Sequence, residues 1–570
     1  MPPVKPHQTP VQLHPPCIRT SPDDGLVYFG LKLKPASAFL CRGSESLPLK
    51  IRSVAARLYA GLLLTVVVLS FTGCGQVLYK APQNNFAGRP IPPSGLLQRV
   101  LATYSANGIS GGAVILDGLR DLRGNVQNTI QQYPVNGFSG GSANIIFNYP
   151  EQTTGYIYSA SNGTVSTVNY SKESVTGTAA SFIANPGSVA ASPDGTRFVA
   201  AIEAGGVLMI SDKNGTFPMN LPNVYKVAIN TGNTVILGMV RNSNTLYRIV
   251  KLDATSNPVT PPGAVDCQPL ILPIYCVVPV PGTFDRPSDV SFSVDGSTAY
   301  VLNCGPECGG TAASITFLQE GALTINVIPK VNPLDPAAPS PAQVLPVANP
   351  VPIPGGVTTV LSDGTTLYIA GQLLLANGLF TGTLSTLNLN TYKVTGNYSI
   401  SDGHHSKMLF ADDNTLWIGS QQCANGQRAA LAAQQLAAHQ STTQAANYNC
   451  LTEVTLSGAT PTVNIFPAVT QVPSGATATP VMVGYPNTDQ NAYYYGNLTG
   501  LCWVQLYHKV FTAYGGQVHA FYTGGKIVDQ NDPGVGTTPA VGTEINNANF
   551  TVQGTVLDVA YMDAITNSAN

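Results

Sequence analysis

The sequence predicts an all-β protein built from repeated four-stranded antiparallel sheets. Composition points that way first: the chain of 570 residues carries 56 glycines and 44 prolines, a balance suited to many short strands joined by tight turns rather than to helices. The second observation is a recurring unit of a short alternating strand, a turn rich in Asp, Asn or Gly, and a second β-rich strand. The third is charge. Only 10% of residues are charged and the net charge is −2, against roughly 25% charged in an ordinary soluble domain. With no strong basic patch, nucleic acid is not an expected partner.

The clearest copies of the unit are "GSVAASPDGTRFVAAI" (187–202), "SDVSFSVDGSTAYVLN" (288–303), "GGVTTVLSDGTTLYIAG" (355–371) and "HSKMLFADDNTLWIGS" (405–420). Weaker copies are "ANIIFNYPEQTTGYIYSA" (143–160), "YKVAINTGNTVILGMV" (225–240) and "PVMVGYPNTDQNAYYYGN" (480–497). Asp-Gly and Asn-rich turns supply the positive-φ positions that tight hairpins need. A third strand follows, as in "GTLSTLNLN", and a fourth, as in "KVTGNYSIS". Four antiparallel strands recurring at about 40–75 residues describe the blade of a β-propeller, and such an architecture fills a long chain as one domain. The "SPDG" turn followed by a Tyr-Val-rich strand resembles the YVTN-type propellers, related to lactonase-like and cytochrome cd1-like domains. The resemblance spans about residues 97–565 and implies the fold while saying little about function.

The two ends are complementary. "LQRVLATYSANGISGGAVILDG" (97–118) starts as if at a second strand, and "GTVLDVAYMDAITN" (554–567) reads as a lone inner strand. Paired in one blade, they would close the ring and remove its exposed edge. Inner strands are expected near residues 143, 187, 225, 288, 355, 405, 481 and 555, giving eight blades, with seven the alternative if a weak copy is not a full blade. The propeller is assigned to 97–567.

Strands A to D of a blade run outward from the central channel. The A–B and C–D turns share one face, and the B–C and D–A loops share the other. Here the A–B turns are short, while the insertions "NCGPECGGTAA" (303–313), "GQLLLANGLFTG" (371–382) and residues 421–450 fall between B and C. The long-loop face is therefore where binding is expected, since loops on a rigid scaffold carry function.

Ahead of the repeats, "KIRSVAARLYAGLLLTVVVLSFTGCG" (50–75) has a basic start and an apolar run of about 14 residues, short of the ~20 that a membrane span requires. Its end, Phe71-Thr72-Gly73-Cys74, resembles a bacterial lipoprotein signal and implies that Cys74 carries the lipid, although Phe71 departs from the usual Leu. Gly75 is not the Asp associated with inner-membrane retention, so the resemblance implies an outer-membrane address in the cell envelope. Residues 1–49 precede a signal that normally starts a protein, and are read as a misassigned start or a cytoplasmic extension; 50–73 is the signal and 74–96 a tether. The tether meets the composite blade at the start of its strand B, on the short-turn face, so the long-loop face should point away from the membrane.

Cys17 and Cys41 lie in the leader. Export permits disulfides, and local pairs are expected at Cys267–Cys276, Cys304–Cys308 and Cys423–Cys450, with Cys502 a buried small hydrophobe. The last pair would pinch the base of the longest insertion, whose "RAALAAQQLAAHQ" suits a short helix; closing that loop is worth about 3–4 kcal/mol. "CGPEC" lacks the second pair that a zinc ribbon requires, and no haem motif is present.

Four residues are the candidates for ligand contact. His404 and His405 lie in "SDGHHSKM" at the mouth of the central channel, beside Asp402, and Asp285 and Arg286 hold the equivalent place in "GTFDRPSD". Adjacent side chains of an extended segment point apart, so the two imidazoles are not expected to share one ion. His439, His508 and His519 show no ligand spacing with them. The other D–A loops, "ANPGS", "NLPN", "PIPG" and "PSGATATP", offer no carboxylate or imidazole, whereas an enzyme needs several converging groups. The expectation is a monomeric binding or scaffold module for a protein or glycan, with no catalytic residue, metal or cofactor assigned. The alternative is a lactonase- or hydrolase-like enzyme with a metal at the channel mouth.

Overall fold

A computed structural model describes residues 90–564, except 120–131, 139–142, 150–152, 253–259, 326–345, 375–379, 402, 404, 424–447, 459, 467–497, 515–516, 528–535, 544–549 and 553. Eight antiparallel sheets make a β-propeller. Blades 1 to 8 take their inner strands, in chain order, from Ala143–Phe147, Ser188–Ala191, Val224–Ile229, Pro287–Phe292, Thr359–Ser362, His405–Ala411, Leu498–Val504 and Thr555–Tyr561. Seven of these stand at or within a few residues of their expected places.

The seventh blade is a correction: its inner strand is Leu498–Val504, not a segment near 481. "LTGLCWV" has no Asp-Gly turn to reveal it, since a 3-10 turn, Gln505–Tyr507, with His508 at φ 53°, makes the corner instead. The hairpin expected at 480–497 lies outside the described residues. A second correction concerns 371–382, expected as a B–C loop. Strands Thr366–Leu374 and Phe380–Asn388 extend into it from its two ends, with Gly371 opposite Thr383 and Gln372 opposite Gly382, and 375–379 lie outside the described residues. Blade 3 adds a short fifth strand, Asp266–Gln268, outside its fourth, Ile274–Pro279.

Blade 8 is the composite blade. Thr555–Tyr561 pairs with Arg99–Ser105, which pairs with Gly111–Asp117 and then Gln132–Pro134. Tyr561 stands opposite Val100, and Thr555 opposite Ser105.

The packing explains the patterning along each strand. Second strands such as Arg197–Ile202 are buried at every position, because a neighbouring blade covers each of their faces. Fourth strands such as Lys393–Ile400 alternate exposed and half-buried positions at the outer edge. Val100 and Ala102 pack toward blade 7 with Phe511 and Val518, while Leu101 packs toward blade 1 with Ile146 and Ile157. Similar apolar clusters fill the interface between every pair of consecutive blades, so the core is a ring rather than a centre. The A–B turns show the expected Asx chemistry: Asp194 accepts from Thr196 N at 3.1 Å and Asp295 from Ser297 N at 3.0 Å, ahead of Gly195 (φ 63°) and Gly296 (φ 73°).

One buried network locks the closure. Arg99 Nη2 and Nε donate to Asp563 Oδ1 (2.7 Å) and Oδ2 (3.0 Å), and Nη1 donates to Glu173 Oε1 (3.0 Å) and the Tyr170 carbonyl (2.5 Å). Ser94 donates to the same Glu173 through its N and Oγ, both at 2.7 Å. Burial works against charge on Arg99, but the Asp563 and Glu173 carboxylates outweigh it and keep the guanidinium above its ordinary pKa. Arg99→Met strands two buried carboxylates, a loss of about 3–5 kcal/mol, measurable as a lower urea midpoint with the slope unchanged. An unchanged midpoint would show that the network contributes nothing to closure.

Candidate functional site

The candidate site is the long-loop face, and two features shape it. The first is a cavity of about 300 Å³ in blade 4, lined by Thr283, Phe284 and Asp285 from the D–A loop, Asn303 and Ser314 from strand ends, Thr311 and Ala312 from the B–C loop, and Pro350 and Pro352. The Cys304–Cys308 disulfide closes that B–C loop, and Cys267–Cys276 is also formed. Cys502 is buried without a disulfide partner among the described residues. The side chains of Cys423 and Cys450, the helix expected between them, and Cys74 lie outside the described residues.

Asp285 forms part of the wall of this cavity, and Arg286 follows it in the same loop without lining the cavity. Asp285 Oδ2 accepts from Thr311 N (2.6 Å), Thr311 Oγ1 (2.6 Å) and Ala312 N (2.9 Å). Burial raises its pKa, but the Thr311 and Ala312 hydrogen bonds outweigh burial and hold it below the ordinary carboxylate value. Arg286, at φ 54°, donates through Nη1 to Asn242 Oδ1 at 3.0 Å. His405 begins the blade 6 inner strand and is 6% exposed. Its Nε2 donates to the Ser401 carbonyl at 3.0 Å and its Nδ1 lies 3.2 Å from Thr358 Oγ1, tying blade 6 to blade 5. His404 and Asp402 lie outside the described residues, so the structure brings Asp285 and Arg286 together in one loop and His405 into a separate one.

The second feature was not foreseen. The inner strands of blades 1, 3, 4, 6, 7 and 8 each carry a register shift near their channel-mouth end, a bulge that re-aims the following side chain. In four of these strands a charge follows the bulge. Lys226 Nζ lies 2.5 Å from Asp289 Oδ2, joining blades 3 and 4. Lys407 Nζ lies 2.5 Å from Asp558 Oδ1, joining blades 6 and 8 across the inner strand of blade 7. Asp558 also accepts from Val559 N (2.9 Å) and from Ile146 N of blade 1 (3.0 Å). Gly500 makes this possible: at φ 68°, it has Val559 N only 2.3 Å from where a Cβ would stand. The signal in the sequence was a lone charge inside an apolar inner strand, as in "YKVAI", "SDVSF", "SKMLF" and "LDVAY".

A further pair sits on the opposite face. His508 Nδ1 lies 2.8 Å from Asp412 Oδ2, which also accepts from Trp503 Nε1 (3.2 Å) and from Thr523 Oγ1. This staples the A–B turn of blade 6 to blade 7. Among the described residues no three His, Cys, Asp or Glu side chains are grouped to hold a metal.

No family model and no curated protein matches the chain. Solved structures are similar to the chain at low identity. The dihydro-heme d1 dehydrogenase NirN, in complex with DHE, is 11% identical with a TM-score of 0.42, over 83% of this chain and 79% of that one. Hydrazine synthase from Kuenenia stuttgartiensis is 13% identical with a TM-score of 0.35, over 68% and 79%. A putative 6-phosphogluconolactonase from Bacteroides uniformis is 12% identical with a TM-score of 0.36, over 65% and 95%.

The Asp285 bonds set a pH dependence. A carboxylate held below its unfolded pKa stabilises the fold fully above the unfolded value and loses that contribution as pH falls through the lowered folded value. Thermal unfolding of Asp285→Asn should therefore fall less steeply on acidification than wild type, and parallel acid limbs would exclude this role. At the channel, Gly500→Ala forces blade 7 off blade 8 and should lower Tm by several degrees; an unchanged Tm would rule out the close approach.

Proposed function

We propose that this chain is an exported, lipid-anchored propeller that recognises a protein or glycan through its long-loop face, without chemistry of its own. It acts as a monomer in the cell envelope, held at the outer membrane by a lipid on Cys74. The observation that carries the reading is the cavity beside Cys304–Cys308. The polar groups around it, Asp285 above all, are occupied in bonds that fix the loop. The channel-mouth charges are likewise joined as Lys226–Asp289 and Lys407–Asp558. That is the character of a preorganised recognition surface, where rigidity lowers the entropic cost of binding.

The rival is a metal-dependent lactonase- or hydrolase-like enzyme that gathers ligands around His404. A glycan array and metal analysis of the purified protein separate the two. Ala312 is exposed at the cavity mouth, so Ala312→Arg blocks the cavity without removing a side-chain bond. A glycan bound by wild type should bind at least tenfold more weakly to this variant, with no stoichiometric metal in either. One metal per chain, lost in His404→Ala together with esterase activity, would overturn the binding reading. The anchor is tested by Cys74→Ser, which should move the protein from the detergent to the aqueous phase on Triton X-114 partition.

A further inference from the structure

The short-turn face carries an apolar feature that the long-loop site does not use. In blade 3 the strands Asp266–Gln268 and Ile274–Pro279 form a hairpin, closed at its base by Cys267–Cys276. Its tip exposes three consecutive large apolar side chains: Leu270 is 86% exposed, Ile271 79% and Leu272 37%. The closed loop, "CQPLILPIYC", holds no Asp, Glu, Lys, Arg or His. Pro269 and Pro273 flank the tip, each with a ring-fixed φ, and the disulfide holds the base. The three side chains are thus presented to water at a fixed place. Contiguous exposed apolar surface of this kind marks an interaction site.

The register gives the direction. Ile274 stands opposite Leu252, the last residue of the third strand of blade 3, so the tip lies at the end where the short turns lie. Val294, 72% exposed, occupies the A–B turn of the next blade, and Leu506, 54% exposed, that of blade 7. On the same face the chain before strand Arg99–Ser105 arrives: Pro90 and Pro92 line a cavity with Arg99 and Asp563, and Ile91 between them is 70% exposed. Upstream of this point the sequence carries the basic and apolar segment 50–73 and Cys74. The face with these apolar tips is thus the face toward which a membrane anchor would draw the propeller.

We propose that the Leu270–Ile271–Leu272 tip inserts into the lipid bilayer at the headgroup–acyl boundary and seats the propeller with its long-loop face outward. The proposal rests on the anchored reading above for its orientation. Asp194, Asp295 and Asp363 also occupy turns of this face, so the contact is apolar insertion and not electrostatic adsorption.

The test exploits the two tryptophans of the chain, of which Trp417 is fully buried. In full-length protein, I271W places a fluorophore at the tip and V265W places one at the far end of the same hairpin. On vesicles of phosphatidylcholine brominated near the headgroup, I271W should blue-shift and lose at least half its added emission. V265W should be unquenched, and neither result should change between 0.1 and 0.5 M salt. An unquenched I271W on vesicles that carry the protein overturns the proposal. So does a concentration-dependent dimer that buries the tip and is lost in L270D/I271D. Failure of the anchored reading shows separately, as mass-spectrometric absence of diacylglycerol on Cys74. The I271W measurement on vesicles still decides the tip for such a chain.

Discussion

The long-loop face is held in place by the pairing of Arg99–Ser105 with Thr555–Tyr561, which joins the two ends of the described chain in one blade. Each blade buries its apolar side chains against both neighbours, so an open ring would leave the facing sides of two blades in water. The closing sheet is secured where its strands meet the short-turn face, by Arg99 held between Asp563 and Glu173. A buried ion pair is seldom a net gain over apolar packing. What this one supplies is register: the fork of the guanidinium fits Asp563 through two bonds, and a slip of one residue would lose both.

From that closure the character of the candidate site follows. Because the inner strands are fixed side by side, a repeated bulge can aim charges into the channel mouth at predetermined spacings. Lys407 reaches Asp558 only because Gly500 lets the intervening strand lie close to blade 8. In blade 4, Asp285 gathers the amides of a disulfide-closed loop into a wall. Lys226 is joined to Asp289 and Lys407 to Asp558, while Asp285 is held by Thr311 and Ala312 and Arg286 by Asn242.

Much of the architecture was legible in the sequence because a propeller writes itself locally. Asp-Gly turns, alternating strands and short Cys spacings are features of neighbouring residues, and they located seven inner strands and two described disulfides. The complementary ends were legible too, since a blade missing its inner strand and a strand missing its blade are both visible in a linear reading. Leu498–Val504 escaped because its corner is a 3-10 turn without the Asp-Gly mark. The channel pairs escaped for a different reason. Lys407 and Asp558 lie 151 positions apart, and only the register of two inner strands shows that they meet. Asp285 was legible as a loop residue, but its partners at Thr311 and Ala312 belong to a separate loop.

Closure by the composite blade is the claim on which the rest stands, and native-state hydrogen exchange followed residue by residue tests it most directly. In a shut ring the amides of Val100–Ser105 and Val556–Tyr561 open only with global unfolding, and exchange with the same free energy as those of the second strand of blade 2, Arg197–Ile202. Exchange of the two closing strands well ahead of that strand, as a fraying end would show, would contradict the account.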